Sequence, residues 1–324
     1  MKISRLLLAC LIAATGSAAF AAKFNLKMGH AVNTTDGQHA AALKLAELVK
    51  QRTNGDVEIT IFPSNQLGND GAMINGVRGG TIDIVSSGAS NYNGMVPNTA
   101  AMELPFVFRN AQHAYNVLDG EVGTGVLNEL APHNLKGLAY WENGWRAFTN
   151  NKRPVNKPED LKGLKIRSTP NPYHIQAFKL LGMNPSPMPI AELYTALESG
   201  AFDAQEHPIN VTLSSKFYEV QKHLTVSNHV YSPLIVSMNK AKFDSLPANY
   251  QKIVVDSARE AAKYQRDLNA QNAGKVVTDL KKSGMQVIEN VDMAPFQKIV
   301  SAEIAKTFGE KNGPALLKAI EATK

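Results

Sequence analysis

The side chains of this chain best suited to chemistry are basic and amide groups at the ends of short apolar runs. Arg146 sits in WENGWRAFTN, Arg167 closes the run from Leu164 to Ser168, and Gln205-Glu206-His207-Pro208 ends another. A guanidinium is a rigid planar fork that grips a carboxylate through two hydrogen bonds. Trp145, beside Arg146, could offer an apolar wall to the same ligand. A neutral imidazole at His207 donates one hydrogen bond, and a charged one donates two. Together these groups suit holding an organic anion. An arginine taken alone is more often solvated, so the reading depends on the elements that carry them.

Bond-breaking chemistry has little to work with. There is no G-x-S-x-G elbow, no P-loop, no HExxH and no Rossmann glycine fingerprint. The single cysteine, Cys10, lies in an apolar N-terminal leader, so thiol chemistry and thiolate metal sites leave with it. The eight histidines show no pair with metal-ligand spacing on one helix face. No cofactor, no metal and no enzymatic activity are therefore expected. An enzyme acting on a carboxylate would have only Glu206 or His207 as a general base near the arginines.

The positioning elements are those of a doubly wound α/β fold. Phe24, Leu26 and Met28 alternate as a strand, Asp36 caps a helix to about Arg52, and Val57–Phe62 is a second strand. A helix over Asn69–Gly79 and a strand from Thr81 complete a βαβαβ half. Ser87 ends that strand on the expected first-lobe wall of a cleft. A helix over 112–130 and a strand over 137–141 follow. A second half repeats the plan: a strand 164–168, a helix opened by Asn171-Pro172, a helix 190–198 and a strand 202–205. On the strand carrying it, Arg167 alternates with Leu164 and Ile166 and lies at the C-terminal edge, where open α/β sheets bind ligands. Strands 224–228 and 232–238 run back between the halves, Tyr231 standing at that return. Pro247 opens a helix to about Lys282 that could brace both lobes. His30, ending the first strand, is a weaker cleft candidate.

Composition sets the compartment. Lys2 and Arg5 precede an apolar run, and Ala19-Phe20-Ala21 is a small-x-small cleavage site, so 1–21 is expected to be a signal peptide. Its removal takes two positive charges and no negative one, leaving 32 basic and 28 acidic residues, a formal +4. A disulfide-free exported chain of this size points to a bacterial periplasm. No basic stripe interleaved with aromatics is present, so nucleic acid is not an expected partner. The first lobe is expected to comprise 22–143 and 232–271, the second 144–231 and 272–324. The repeated crossings make a natural hinge.

Several segments carry a family resemblance: Pro63-Ser64-Asn65-Gln66-Leu67-Gly68, Gly80-Thr81-Ile82-Asp83, Glu103-Leu104-Pro105-Phe106 and Asn143-Gly144-Trp145-Arg146. Leu161 to Arg167, Asp203 to Pro208 and Lys216 to Lys222 continue it. In this order and spacing the chain resembles the periplasmic solute-binding subunits of TRAP transporters, the tripartite ATP-independent family that includes the C4-dicarboxylate (DctP-like) and sialic acid binding proteins. The resemblance implies a two-lobe α/β receptor that closes on a small mono- or dicarboxylate. It would deliver that acid to a permease of one small and one large integral membrane subunit. It also implies that Arg167 clamps the ligand carboxylate and Arg146 helps. His207 departs from the family, which usually has asparagine there, so this contact and its pH dependence are expectations particular to this chain. A receptor serving a sensor or an ABC-type importer would share the same cleft.

Overall fold

The structure, a computed structural model, describes residues 22–324. The expected signal peptide, 1–21, with Cys10, lies outside the described residues. The chain opens as β1 (Phe24–His30), α1 (Gly37–Arg52), β2 (Val57–Phe62), α2 (Asp70–Gly79) and β3 (Ile84–Gly88). Local capping sets the helix starts: Asp36 accepts from the Gln38 amide at 2.9 Å, and Asn69 accepts from Ala72 at 3.0 Å. The third strand begins three residues later than expected, because Thr81 and Ile82 both donate to the Gly76 carbonyl and finish the turn after α2. The single helix expected over 112–130 is two, α3 (Ala111–Asp119) and α4 (Glu121–Asn128). They part at Gly120, where a Cβ would stand 2.6 Å from the Asn116 carbonyl oxygen.

β4 (Leu135–Asn150) is far longer than the expected 137–141 and belongs to both lobes. Over Leu135–Trp145 it pairs with the later strand Tyr231–Asn239, and over Arg146–Asn150 with the second lobe. The handover is marked by a register shift between Glu142 and Gly144, where Gly144 sits at φ +125°. The second lobe continues with β5 (Lys165–Ser168), α5 (Pro172–Leu180), β6 (Asn184–Pro187), α6 (Ile190–Glu198), β7 (Ala204–Pro208), α7 (Ile209–Ser214) and β8 (His223–Thr225). β7 begins two residues and ends three residues later than expected, so Gln205, Glu206 and His207 stand within the strand.

β9 (Tyr231–Asn239) returns between β3 and β4, followed by α8 (Lys240–Asp244), α9 (Ala248–Lys282), β10 (Gln286–Ile288), α10 (Ala294–Asn312) and α11 (Ala315–Ala322). The main sheet path runs β2-β1-β3-β9-β4-β7-β5-β6, with β8 and β10 attached beside it. The 35-residue α9 ties the lobes together. Near its middle, Trp141 Nε1 donates to the Ala258 carbonyl at 2.9 Å, and Gln265 exchanges two 2.9 Å hydrogen bonds with the Glu142 backbone. Near its end, Leu280 joins Ala147, Leu224 and Met285 in a second-lobe core. α11 packs on α4, and the Ile320 carbonyl meets His113 Nε2 of α3 at 2.9 Å.

Candidate functional site

Between the lobes lies a cavity of about 350 Å³. Its second-lobe wall presents Arg167, Arg146 and His207, and its first-lobe wall presents Gln38, Asp70, Ser87 and Asn91. Arg167 arrives from the C-terminal end of β5 and is only 4% exposed. Its Nε donates to the Met188 carbonyl at 2.8 Å, and Nη1 lies 3.4 Å from His207 Nε2. Among the described residues it forms no ion pair, although it is buried. Burial, then repulsion from Arg146, lowers its pKa to about 10. Three of its five N–H bonds have no partner among the described residues, an arrangement chemically suited to an anion.

Arg146 also borders the cavity, but most of its donors are engaged. Its Nε and Nη2 grip the Glu206 carboxylate, Nη2 also donates to the Glu206 carbonyl at 2.6 Å, and Nη1 reaches Ser232 Oγ at 3.3 Å. Burial disfavours the charge on both partners. Their mutual attraction outweighs it, holding Glu206 well below the usual carboxylate range. One Nη1 hydrogen has no partner among the described residues, so Arg146 borders the cavity as one half of a buried ion pair.

His207 is buried, with Nδ1 against Gln205 Oε1 and Nε2 toward Arg167. Burial and the two guanidiniums push its pKa well below the ordinary histidine value. Ser87 donates to Asp70 Oδ1 at 2.6 Å and accepts from Asn91 Nδ2 at 2.9 Å. Burial raises the Asp70 pKa, against the hydrogen bond from Ser87 and the field of Arg167.

Three sequence candidates, Trp145, Tyr231 and His30, do not line the cavity. Trp145 precedes Arg146 on β4, and adjacent strand residues face opposite sides. Trp145 instead borders a shallow groove with Phe106 and Val291. Tyr231 is its cross-strand partner, so it shares that face. The two rings meet edge to face at 5.3 Å, and the Tyr231 hydroxyl donates to Glu142 at 3.1 Å. His30 is likewise absent from the cavity wall, which continues at Ala31 and Val32. Sequence reasoning missed Asp70, Gln38 and Asn91. Asp70 carried a readable signal, an acid in the first turn of α2 after the cap at Asn69.

Two α/β lobes joined by shared strands and a spanning helix, with an arginine-bearing cavity between them, define a two-lobe ligand receptor. Residues 28–311 match the profile of the DctP family, bacterial extracellular solute-binding protein family 7. The chain belongs to that family, and it is a periplasmic solute receptor of the TRAP type. It is 46% identical over 312 residues to the 2,3-diketo-L-gulonate-binding periplasmic protein YiaO of Escherichia coli, covering 96% of this chain and 95% of that one. It also matches the crystal structure of a TRAP periplasmic solute-binding protein from a Polaromonas species bound to D-erythronate. There the identity is 37% and the TM-score 0.90, with 93% of this chain and 99% of that one covered. A third match is the TRAP solute-binding protein of Sulfurospirillum deleyianum with bound succinate: identity 30%, TM-score 0.88, coverage 94% and 100%. Among the described residues, no helix is long and apolar enough to cross a membrane.

Proposed function

We propose that this receptor takes a small hydroxylated monocarboxylate, with its carboxylate on Arg167, and hands it to the integral membrane subunits of a TRAP transporter. The observation that carries this reading is the buried Arg167 guanidinium, which faces a cavity of about 350 Å³ without a carboxylate partner among the described residues. The first-lobe wall supports a hydroxylated remainder. Asp70 accepts hydrogen bonds there and would repel a second carboxylate, while Asn91 and Gln38 supply amides. The related structure with D-erythronate is consistent with such a ligand. Ligand bridging both walls favours the closed arrangement.

No catalytic role is assigned to Glu206, whose carboxylate is bound by Arg146. The ligand therefore leaves as it entered, which mass spectrometry of the recovered acid tests. Calorimetric titration with D-erythronate, galactonate and succinate tests the ligand class. A hydroxylated monocarboxylate is expected to bind at least tenfold more tightly than succinate, and the reverse order would overturn the assignment. Arg167→Ala is expected to lose about 2–5 kcal/mol of binding, as for truncation of a buried charged partner.

A further inference from the structure

We propose that His207 is a positioning residue: a hydrogen-bond chain beginning outside the cavity holds it as the Nδ1–H tautomer, so that Nε2 accepts from Arg167 and aims the guanidinium. This inference rests on the carboxylate reading of Arg167. The direction of every bond in the chain follows from one backbone carbonyl. Gln221 Nε2 lies 3.0 Å from the Val220 oxygen, and a carbonyl can only accept, so the amide nitrogen is fixed on that side. Gln221 Oε1 therefore faces Thr149 Oγ1, 2.9 Å away, and takes its one hydroxyl proton. The 2.8 Å contact between Thr149 and Gln205 must then be donated by Gln205 Nε2. That leaves Gln205 Oε1 against His207 Nδ1, which must carry a proton.

In a neutral ring whose Nδ1 is protonated, Nε2 is a bare acceptor. It stands 3.4 Å from Arg167 Nη1, a group that can only donate. The opposite tautomer would set two N–H donors against each other at that distance. Strand register places the relay on one face, since Thr149 pairs with Gln205 and Ala147 with His207. Thr149 and Gln205 are fully buried, and none of Thr149, Gln205 and Gln221 lines the cavity. With Nε on the Met188 carbonyl and one Nη1 hydrogen on His207, the guanidinium is held at two edges and its remaining hydrogens are left for the ligand.

The tautomer is read without ligand by long-range proton–nitrogen correlation spectra of protein labelled at histidine nitrogen. His207 is expected as Nδ1–H. Thr149→Val, nearly isosteric, cuts the relay. It is expected to give a mixture of tautomers and to weaken D-erythronate binding about tenfold, in line with losing a buried hydrogen bond. His207→Gln, which keeps an acceptor, should bind within about threefold of the parent, whereas His207→Leu should lose about tenfold or more. An Nε2–H signal in the parent, or unchanged tautomer and affinity in Thr149→Val, or parent-like binding by His207→Leu would overturn the proposal. If no acid bound the parent, the carboxylate reading would fail, and the spectra would still decide the relay.

Discussion

Arg146 and Arg167 share a cavity wall and have opposite electrostatic circumstances. Arg146 is neutralised by Glu206, so changing it removes a buried ion pair. Arg167 has only neutral partners among the described residues, so changing it removes the charge available to a ligand. Arg167→Lys keeps the charge and loses the planar fork. It is expected to bind a hydroxy acid more weakly than the parent and more tightly than Arg167→Ala, as measured by calorimetry. A second residue reports on stability. His30 is fully buried against His39, ring nitrogens 3.0 Å apart, and burial first, then His39, lowers its pKa from 6.5 to about 4. Above pH 6.5 neither folded nor unfolded chain binds a proton there. Between pH 6.5 and 4 only the unfolded chain does, so stability falls on acidification, by up to roughly 3 kcal/mol. Denaturant unfolding at pH 7.5 and 4.5 should show a smaller pH effect in His30→Asn; an unchanged effect would contradict this. The arginines were legible as types, since few side chains can clamp an anion. Their inequality was not, because it depends on Glu206 lying diagonally across two strands.

At the scale of elements, local signals survived and long-range register did not. Capping by Asp36, Asn69 and Asn171 acts within three residues, so the starts of α1, α2 and α5 could be read from sequence. The length of β4 could not, because its pairing with β9 and β7 joins segments far apart in the chain. The same gap misplaced Trp145 and Tyr231: each lies near the crossing, and only the register shows that their shared face is turned from the cleft. Gly144 is where the crossing strand is most exacting. Its φ of +125° is closed to most side chains, and a Cβ would stand 3.1 Å from Pro208 Cβ. Gly144→Ala is expected to lower stability by about 1–3 kcal/mol, read as a lower denaturation midpoint at unchanged m-value. Stability equal to the parent would mean that the bulge relaxes without strain.

The whole molecule works by the relation between its lobes. Away from the cavity, they also touch at the N-terminus of α1. Asp36 Oδ2 accepts from Ser214 Oγ at 3.0 Å and Asn210 Nδ2 at 3.4 Å, and Asn33 donates to the Ser214 carbonyl. Because Asp36 belongs to the first lobe and Ser214 to α7 of the second, these bonds favour closure. Removing one such hydrogen bond costs about 1 kcal/mol. Ser214→Ala should therefore bind ligand several-fold more weakly through a reduced closed population. Small-angle scattering should show a larger radius for this variant at subsaturating ligand, and a radius identical to the parent would remove the contact from the closing equilibrium. Two α/β halves, a spanning helix and a cleft between them were readable from periodicity and family-like segments. The packing of α11 against α4 was not, since nothing within its eight residues names its partner.

Arg167 is proposed to hold the ligand's carboxylate. A crystal structure of the protein with a bound hydroxy acid tests it most directly. Both carboxylate oxygens are expected within about 3 Å of the Arg167 Nη atoms. A carboxylate seated on the first-lobe wall, or held by Arg146 with Arg167 left unpaired, would contradict it.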